Sequence, residues 1–349
     1  MSDIHIRTEG RAGRITFTRA KALNAMSWDM CLAIEAAIDD WRADDAVTVV
    51  LIDAEGEKAF CAGGDIQQLY ETGRAGDYAY GRRFWRDEYR LNAKLSEYPK
   101  PVVSLMQGFT MGGGVGIGCH GSHRIVCDSS RIAMPECGIG LVPDVGGSLI
   151  LAGAPQRMGE YLGLTGARMG PADAILAGFA DMHIDLNKWA ELSEIVCNTG
   201  EVKVLSEVAT TPPDGKLANL PQAVHDAFAR SGLKGIAQAL DKLEDDAAVE
   251  ARAALGRNSP LSMACALRMI RALRSNTVAD IRAALTQEYR YTHRAMETGD
   301  FLEGIRAAVI DKDRNPQWQH LLDTLPDSAV EAMLAPLGAD ELNFEEETQ

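Results

Sequence analysis

The sequence predicts an α/β (α+β) core followed by a mainly helical C-terminal region. Three features carry that expectation. Short apolar runs of strand length recur through the first half. A helix-period segment separates the first two of them. From about residue 201 the pattern turns helical. The length of 349 residues fits one large domain or two, at roughly 150 residues per domain.

In chain order, "GRITFT" (13–18) reads as a strand. Ser27 is an N-cap candidate for the next helix, which places Cys31, Ile34, Ile38 and Trp41 on one face. "AVTVVLID" (46–53), "KPVVSLMQGF" (100–109) and "HRIVCD" (123–128) are near-continuous apolar runs, the pattern of buried strands. "TTPPDGK" (210–216) is a linker, and the helical stretches "LPQAVHDAFARSGLKGIAQALDKLEDDAAVEARAAL" (220–255) and "PLSMACALRMIRALR" (260–274) follow it. The expected division is therefore a core over residues 1–200 and a helical region over 201–349, with "LNFEEETQ" (342–349) as a fraying acidic tail.

A net charge of −15 argues against a nucleic-acid partner, which needs a basic stripe to displace phosphate counterions. An anionic ligand must then be held by local donors such as backbone N–H groups. No apolar run approaches the ~18 residues of a membrane span. The start, "MSDIHIRTEGRAGRITF", lacks a leader pattern, and the seven cysteines are odd in number and scattered. Both set the expectation of a cytoplasmic protein with reduced thiols. Cys61 and Cys137 stand as the alternative nucleophile candidates. The spacing of His120 and His123 offers no complete metal set.

"AFCAGGDI" (59–66) and "MGGGVGIGCHG" (111–121) each follow a predicted strand. Gly116, Gly118 and Gly121 satisfy G-x-G-x-x-G, but inside a longer glycine run, and a chain with 33 glycines yields such matches by chance. Two readings remain. The glycines allow close packing of strand ends, or two turns expose N–H groups converging on one point, as needed to stabilise an oxyanion.

"MPECGIGLVPDVGG" (134–147) adds two acids, Glu136 and Asp144, in an almost wholly apolar stretch. Glutamate is rarely buried without a partner or a task. Glu136 reads either as a hydrogen-bonded structural acid or as a catalytic one. Asp144 reads as the N-cap of a helix beginning near Val145, a position that also favours an ionised carboxylate. Glu88 lies in "RRFWRDEYRL" (82–91), whose charges read mostly as a solvated helix face.

Together with "KALNAM" (21–26) and "GFTMGGGVG" (108–116), these motifs resemble the crotonase (enoyl-CoA hydratase/isomerase) superfamily. The likeness extends over "FWRDEYRLN" (84–92), "EYRYTHRAM" (288–296) and "DFLEGIRAAVIDKDRNPQW" (300–318), and so over nearly the whole chain. The resemblance implies a crotonase-like spiral of ββα turns in the core, binding acyl-CoA thioesters. It implies no metal and no cofactor, coenzyme A entering as part of the substrate. It places the oxyanion-hole N–H groups on Gly64 and Gly113. Lys21, Ala22 and Leu23 match the segment that meets the adenine end of CoA, and Ala62, Asp65 and Ile66 lie beside the oxyanion turn. Arg306, Lys312 and Arg314 are candidates for the CoA phosphates, with a solvated face as the alternative. Homo-oligomers, trimers or their multiples, are also implied.

Hydratases of the superfamily use two glutamates, and this sequence matches the second as Glu136 while carrying Gly116 at the first. Addition of water across a double bond needs a positioned acid–base pair, so the loss argues against a hydratase. Asp144 matches a hydrolase subgroup, in which the residue matching Glu88 lines the acyl pocket. The resulting expectation is hydrolysis of a short 3-hydroxyacyl-CoA, with 3-hydroxyisobutyryl-CoA foremost. Glu136 and Asp144 would act on the thioester, and Glu88 would bind the acyl group. A hydratase or isomerase on the same scaffold, or a silent acyl-CoA-binding protein, is the alternative.

Overall fold

After an opening hairpin, strands enter two sheets alternately, and this alternation is the main feature of the chain's first half. The computed structural model describes residues 3–276 and 278–344. Among these the strands are β1 (Ile4–Glu9), β2 (Ala12–Phe17), β3 (Val49–Ala54), β4 (Ala59–Cys61), β5 (Val102–Met106), β6 (Phe109–Met111), β7 (His123–Val126), β8 (Arg131–Ala133) and β9 (Met182–His183). One sheet has the order β1-β2-β3-β5-β7-β9 and the other β4-β6-β8. The pairs β3/β4, β5/β6 and β7/β8 each give their first strand to the large sheet and their second to the small one. Successive turns stack in parallel register, Val50 beside Val102 and Phe109 beside Arg131. The β1–β2 hairpin is antiparallel. This is the expected ββα spiral.

Two compact units interleave along the chain. The first comprises Met1–Gly64, Arg90–Ala133 and Arg168–Ala218; the second comprises Asp65–Tyr89, Met134–Ala167 and Asn219–Gln349. The change of texture near residue 201 therefore marks where strands give way to helices, while the units follow packing.

All the strands lie in the first unit. Its core is the apolar face Ala12, Val49, Leu51, Val103, Leu105 and Ile125, covered by Trp189, Leu192 and Val196 of the helix Trp189–Thr199. Such apolar contacts are the main favourable term in folding, about 25 cal/mol per Å² removed from water. The helix Trp28–Arg42 begins at Ser27, whose hydroxyl accepts from the Met30 N–H, and it buries Cys31, Ile34, Ile38 and Trp41 as the spacing predicts. Trp41 lies over Gly13, where a Cβ would come within 2.3 Å of the indole.

The second unit is helical. Asp245, Ser259 and Asp280 cap the helices Asp246–Arg257, Pro260–Ser275 and Ile281–Ala295 with side-chain oxygens. Pro260–Ser275 packs against the short helices Gly147–Gly153 and Met158–Thr165. Residues 345–349 of the acidic tail lie outside the described residues. No described helix is long and apolar enough to cross a membrane.

Candidate active site

In the first unit the two glycine turns lie side by side. The Ala62 N–H donates to the Leu23 carbonyl (3.0 Å) and the Met26 N–H to the Gly63 carbonyl (2.9 Å), so "KALNAM" is stitched to "CAGG". Met26 bridges Gly64 in parallel fashion. The Met26 N–H thus bonds the residue before Gly64, and not Gly64 itself. Gly113 opens the short helix Gly113–Gly118, so its N–H is one of the orphan donors of a helix start. Gly63, at φ +113°, would place a Cβ 3.3 Å from the Met111 carbonyl and 3.9 Å from the Gly113 nitrogen. The positive φ is what favours glycine there. Lys21, Ala22 and Leu23 occupy a 3₁₀ turn and its left-handed end, beside Ala62.

In the second unit Glu88, Glu136, Asp144 and Glu288 are all buried, at 2%, 4%, 4% and 0% exposure. No ion-pair partner meets any of them among the described residues. Glu160 in the same unit shows how this protein buries a structural glutamate, bonded to Arg157 at 2.7 Å and Arg274 at 3.1 Å. Glu136 has no such cationic partner among the described residues, and a buried acid without one marks a functional-site candidate.

The four acids fall into two pairs. Asp144 and Glu288 are held. The Tyr89 hydroxyl donates to Asp144 Oδ2 at 2.8 Å. The Gly146 N–H donates to Glu288 Oε2 at 2.8 Å, and the Ser148 N–H (3.1 Å) and hydroxyl both donate to Glu288 Oε1. Glu88 and Glu136 are open instead: Glu88 Oε1 and Glu136 Oε2 are buried with no hydrogen-bond partner among the described residues. An unpartnered buried acceptor costs free energy, which a ligand donor or reacting atom can offset.

The N-cap expectation for Asp144 is not met. The helix begins at Gly147 after a Gly146 cap in left-handed geometry, and Asp144 has no side-chain capping bond there. Glu288 takes the capping role from a distant helix, which frees the Asp144 carboxylate for Tyr89. Between them Val145 is left-handed at φ +51°. For a β-branched residue that conformation stores strain of about 1–3 kcal/mol.

Burial and mutual repulsion move the whole set toward the neutral form. Asp144 is pushed up to about 7 by burial, against the Tyr89 hydrogen bond and its own backbone contact. Glu288 is pushed up to about 8 by burial, with the hydrogen bonds from Ser148 and Gly146 opposing it. Glu136 is driven well above the usual carboxylate range by burial and then by the charges of Asp144, Glu288 and Glu88. Glu88 is driven well above it by burial and the Asp144 charge. All four acids are thus held above the usual carboxylate range, Asp144 and Glu288 near neutrality, where acid–base chemistry is most efficient.

The sequence and the fold have counterparts in known proteins. The family model "Enoyl-CoA hydratase/isomerase" matches residues 12–334. The chain belongs to the enoyl-CoA hydratase/isomerase family. Within that family it is 34% identical over 98% of its length to the mitochondrial 3-hydroxyisobutyryl-CoA hydrolase of Gallus gallus, covering 91% of that protein. A probable 3-hydroxyisobutyryl-CoA hydrolase of Arabidopsis thaliana is 34% identical over 91% of this chain and 87% of its own length. A crystal structure of an enoyl-CoA hydratase from Rhodobacter sphaeroides superposes with a TM-score of 0.93 at 50% identity, over 98% of this chain and all of that one. A carnitinyl-CoA dehydratase structure from Mycobacterium thermoresistibile gives 0.94 at 38%, over 99% of this chain and all of that one. Family membership thus spans several acyl-CoA chemistries, and the site residues must choose among them.

Of the family-matched residues, Lys21, Ala22, Leu23, Ala62, Gly64 and Gly113 lie in the first unit and Glu88, Glu136 and Asp144 in the second. Asp65 and Ile66, also in the second, are the N-cap and first residue of the helix Ile66–Arg74. Arg306 is not a free phosphate ligand, since Glu303, Asp311 and Asp313 take its guanidinium at 2.6–2.8 Å. Cys137 is a buried thiol that donates to the Gly163 carbonyl, and burial pushes it well above its ordinary range, the reverse of a nucleophile. The sequence reading missed Tyr89 and Glu288. The signal was present: Glu288 interrupts the buried stripe Ile281, Leu285, Thr292 and Ala295 at helical spacing.

Proposed function

We propose that the protein hydrolyses a short 3-hydroxyacyl-CoA thioester, with 3-hydroxyisobutyryl-CoA as substrate, releasing 3-hydroxyisobutyrate and CoA. The observation that carries the proposal is the pairing of two held acids with two open ones, in a chain that has Gly116 where a hydratase needs its second glutamate. The mitochondrial 3-hydroxyisobutyryl-CoA hydrolases among its relatives support the substrate.

In this reading the Gly64 and Gly113 N–H groups bind the thioester carbonyl and stabilise the oxyanion that forms when it is attacked. Glu136, whose burial makes its carboxylate more basic than usual, supplies the attack. It either adds to the carbonyl carbon, expelling the CoA thiolate and leaving a mixed anhydride that water cleaves, or takes a proton from the attacking water. Asp144 orients that water, or in its protonated form gives the thiolate its proton. Glu88 Oε1 accepts from the substrate's 3-hydroxyl. The proposed hydrolysis differs from the reaction of an enoyl-CoA hydratase, the name given to the similar R. sphaeroides structure. The reading also assigns the protein to the cytoplasm, consistent with seven buried cysteines that form no disulfide. It takes the chain as a homo-oligomer, a trimer or a multiple of one.

The test is release of free CoA thiol from 3-hydroxyisobutyryl-CoA by wild type, Glu136→Gln and Asp144→Asn. Each variant, folded, should lose at least ~100-fold in turnover, the scale for a positioned acid–base or nucleophilic group. A folded variant with near-normal thiol release would remove that residue from the mechanism.

A further inference from the structure

The strained turn beside Asp144 has a holder that is not among the residues matched to the family's site. Asp144, Val145, Gly146 and Gly147 join the 3₁₀ turn Glu136–Ile139 and its following loop to the helix Gly147–Gly153. Val145 and Gly146 are both left-handed, at φ +51° and +80°. Glycine adopts that conformation freely, but buried Val145 does so only if something over-determines it. The Val145 side chain is 1% exposed, so packing is one constraint. Glu288 is another.

Glu288 reaches the turn from the helix Ile281–Ala295 and is fully buried. Its two oxygens accept three hydrogens, from the Gly146 N–H, the Ser148 N–H and the Ser148 hydroxyl. The Gly146 donor lies within the left-handed pair and the Ser148 donors follow it, while Tyr89 fixes the Asp144 carboxylate before it. Only a group that accepts at both oxygens satisfies all three. An amide there would present its NH₂ to a donor. Tyr289, the next residue, turns elsewhere and donates to the Arg82 carbonyl, so this role belongs to Glu288 alone in its pair.

We propose that Glu288 is a positioning residue: it clamps the Gly146 and Ser148 N–H groups, holds the Val145 turn left-handed, and so aims the Asp144 carboxylate. It touches neither substrate nor reacting atoms. The functional part of the claim rests on the reading of Asp144 as a group that acts on the thioester; the structural part does not.

The test has two arms. A crystal structure of Glu288→Gln should show Val145 released to negative φ and the hydrogen bond from Tyr89 to Asp144 broken. Val145 still left-handed with that hydrogen bond intact overturns the proposal, whatever the enzyme's substrate. In steady-state thiol release, Glu288→Gln should lower kcat roughly 10–100-fold, the scale for a misplaced group, with KM within about threefold of wild type. Adding Val145→Gly, which lets the turn adopt positive φ without strain, should recover at least about a third of that loss on a logarithmic scale. An unchanged kcat, a loss confined to KM, or no recovery in the double variant each overturns the proposal. If Glu288→Gln does not fold, Ser148→Ala removes one donor from the clamp and should lower kcat at least about threefold at constant KM, with no change refuting the clamp. Wild type inactive on 3-hydroxyisobutyryl-CoA would defeat the proposed function and leave the crystallographic arm to decide the clamp.

Discussion

Tyr89→Phe isolates the interaction that keeps Asp144 titrating near neutrality. The substitution removes one oxygen, the donor to Asp144 Oδ2 at 2.8 Å, and leaves the ring that packs edge-on against Tyr289. Burial pushes Asp144 up and this hydrogen bond holds it down, with a net value of about 7. A hydrogen bond to a charged group is worth about 1.5–3 kcal/mol, and 1.36 kcal/mol corresponds to about one pKa unit. The ionised form loses that stabilisation in the variant, so Asp144 should rise by roughly 1–2 units. Where ionised Asp144 orients the attacking water, the acid limb of kcat/KM, which reports the free enzyme, should then move to higher pH by the same interval. Activity near pH 7 should fall roughly 5–50-fold and recover on the alkaline side, where wild type and variant converge. The assay is the fall in thioester ultraviolet absorbance, followed from about pH 5.5 to about 9.5 at subsaturating substrate. An acid limb in the same place, or one displaced to lower pH, in a variant with wild-type circular dichroism would refute this account of Asp144.

Glu88→Ala should slow 3-hydroxyisobutyryl-CoA cleavage far more than isobutyryl-CoA cleavage. A site built around a substrate hydroxyl rejects the deoxy ester by up to ~10⁴-fold, and equal wild-type rates for the two esters would take Glu88 out of the acyl pocket. Glu136→Gln should be more thermostable than wild type as well as inactive. The folded state raises the Glu136 pKa, so wild-type stability is lost as pH rises from about 4.3 through that raised value, and the gap in Tm should widen between about pH 5 and about pH 8. A gap that is absent or narrows over that range would contradict the burial argument. Gly114→Ala should destabilise the protein by about 1–3 kcal/mol or more in urea unfolding, because a Cβ there would meet the Cys61 carbonyl at 2.1 Å. An unchanged midpoint would mean that the two glycine turns are not packed as described.

The strands and first helix of the core were legible in the sequence because their signals are local, while the spiral itself came from the family resemblance. Val49–Ala54, Val102–Met106 and His123–Val126 are apolar runs of strand length, and Ser27 caps the first helix as read. Of the site residues, Glu136 and Asp144 stood out as acids in apolar surroundings, and the glycine turns as runs that only backbone approach explains. The cap alternative for Asp144 failed because a helix cap is usually a local residue, whereas here the capping carboxylate comes from Glu288, 140 positions from Ser148. Tyr89 and Glu288 escaped notice because their meaning lies in what they face across the second unit. Helical periodicity exposes their burial but not their partners. The helices of the second unit were readable from their periodicity. Its clustering with residues 65–89 and 134–167 was not, since tertiary packing has no local signature.

The most direct test of the proposed function compares two reactions of one wild-type preparation: CoA release from 3-hydroxyisobutyryl-CoA and addition of water to crotonyl-CoA. With Gly116 in place of a second acid, the account predicts that kcat/KM for thioester cleavage exceeds that for hydration by at least ~100-fold, the contribution of one positioned acid–base group. Hydration at a rate equal to or above thioester cleavage would contradict it and make the protein a hydratase.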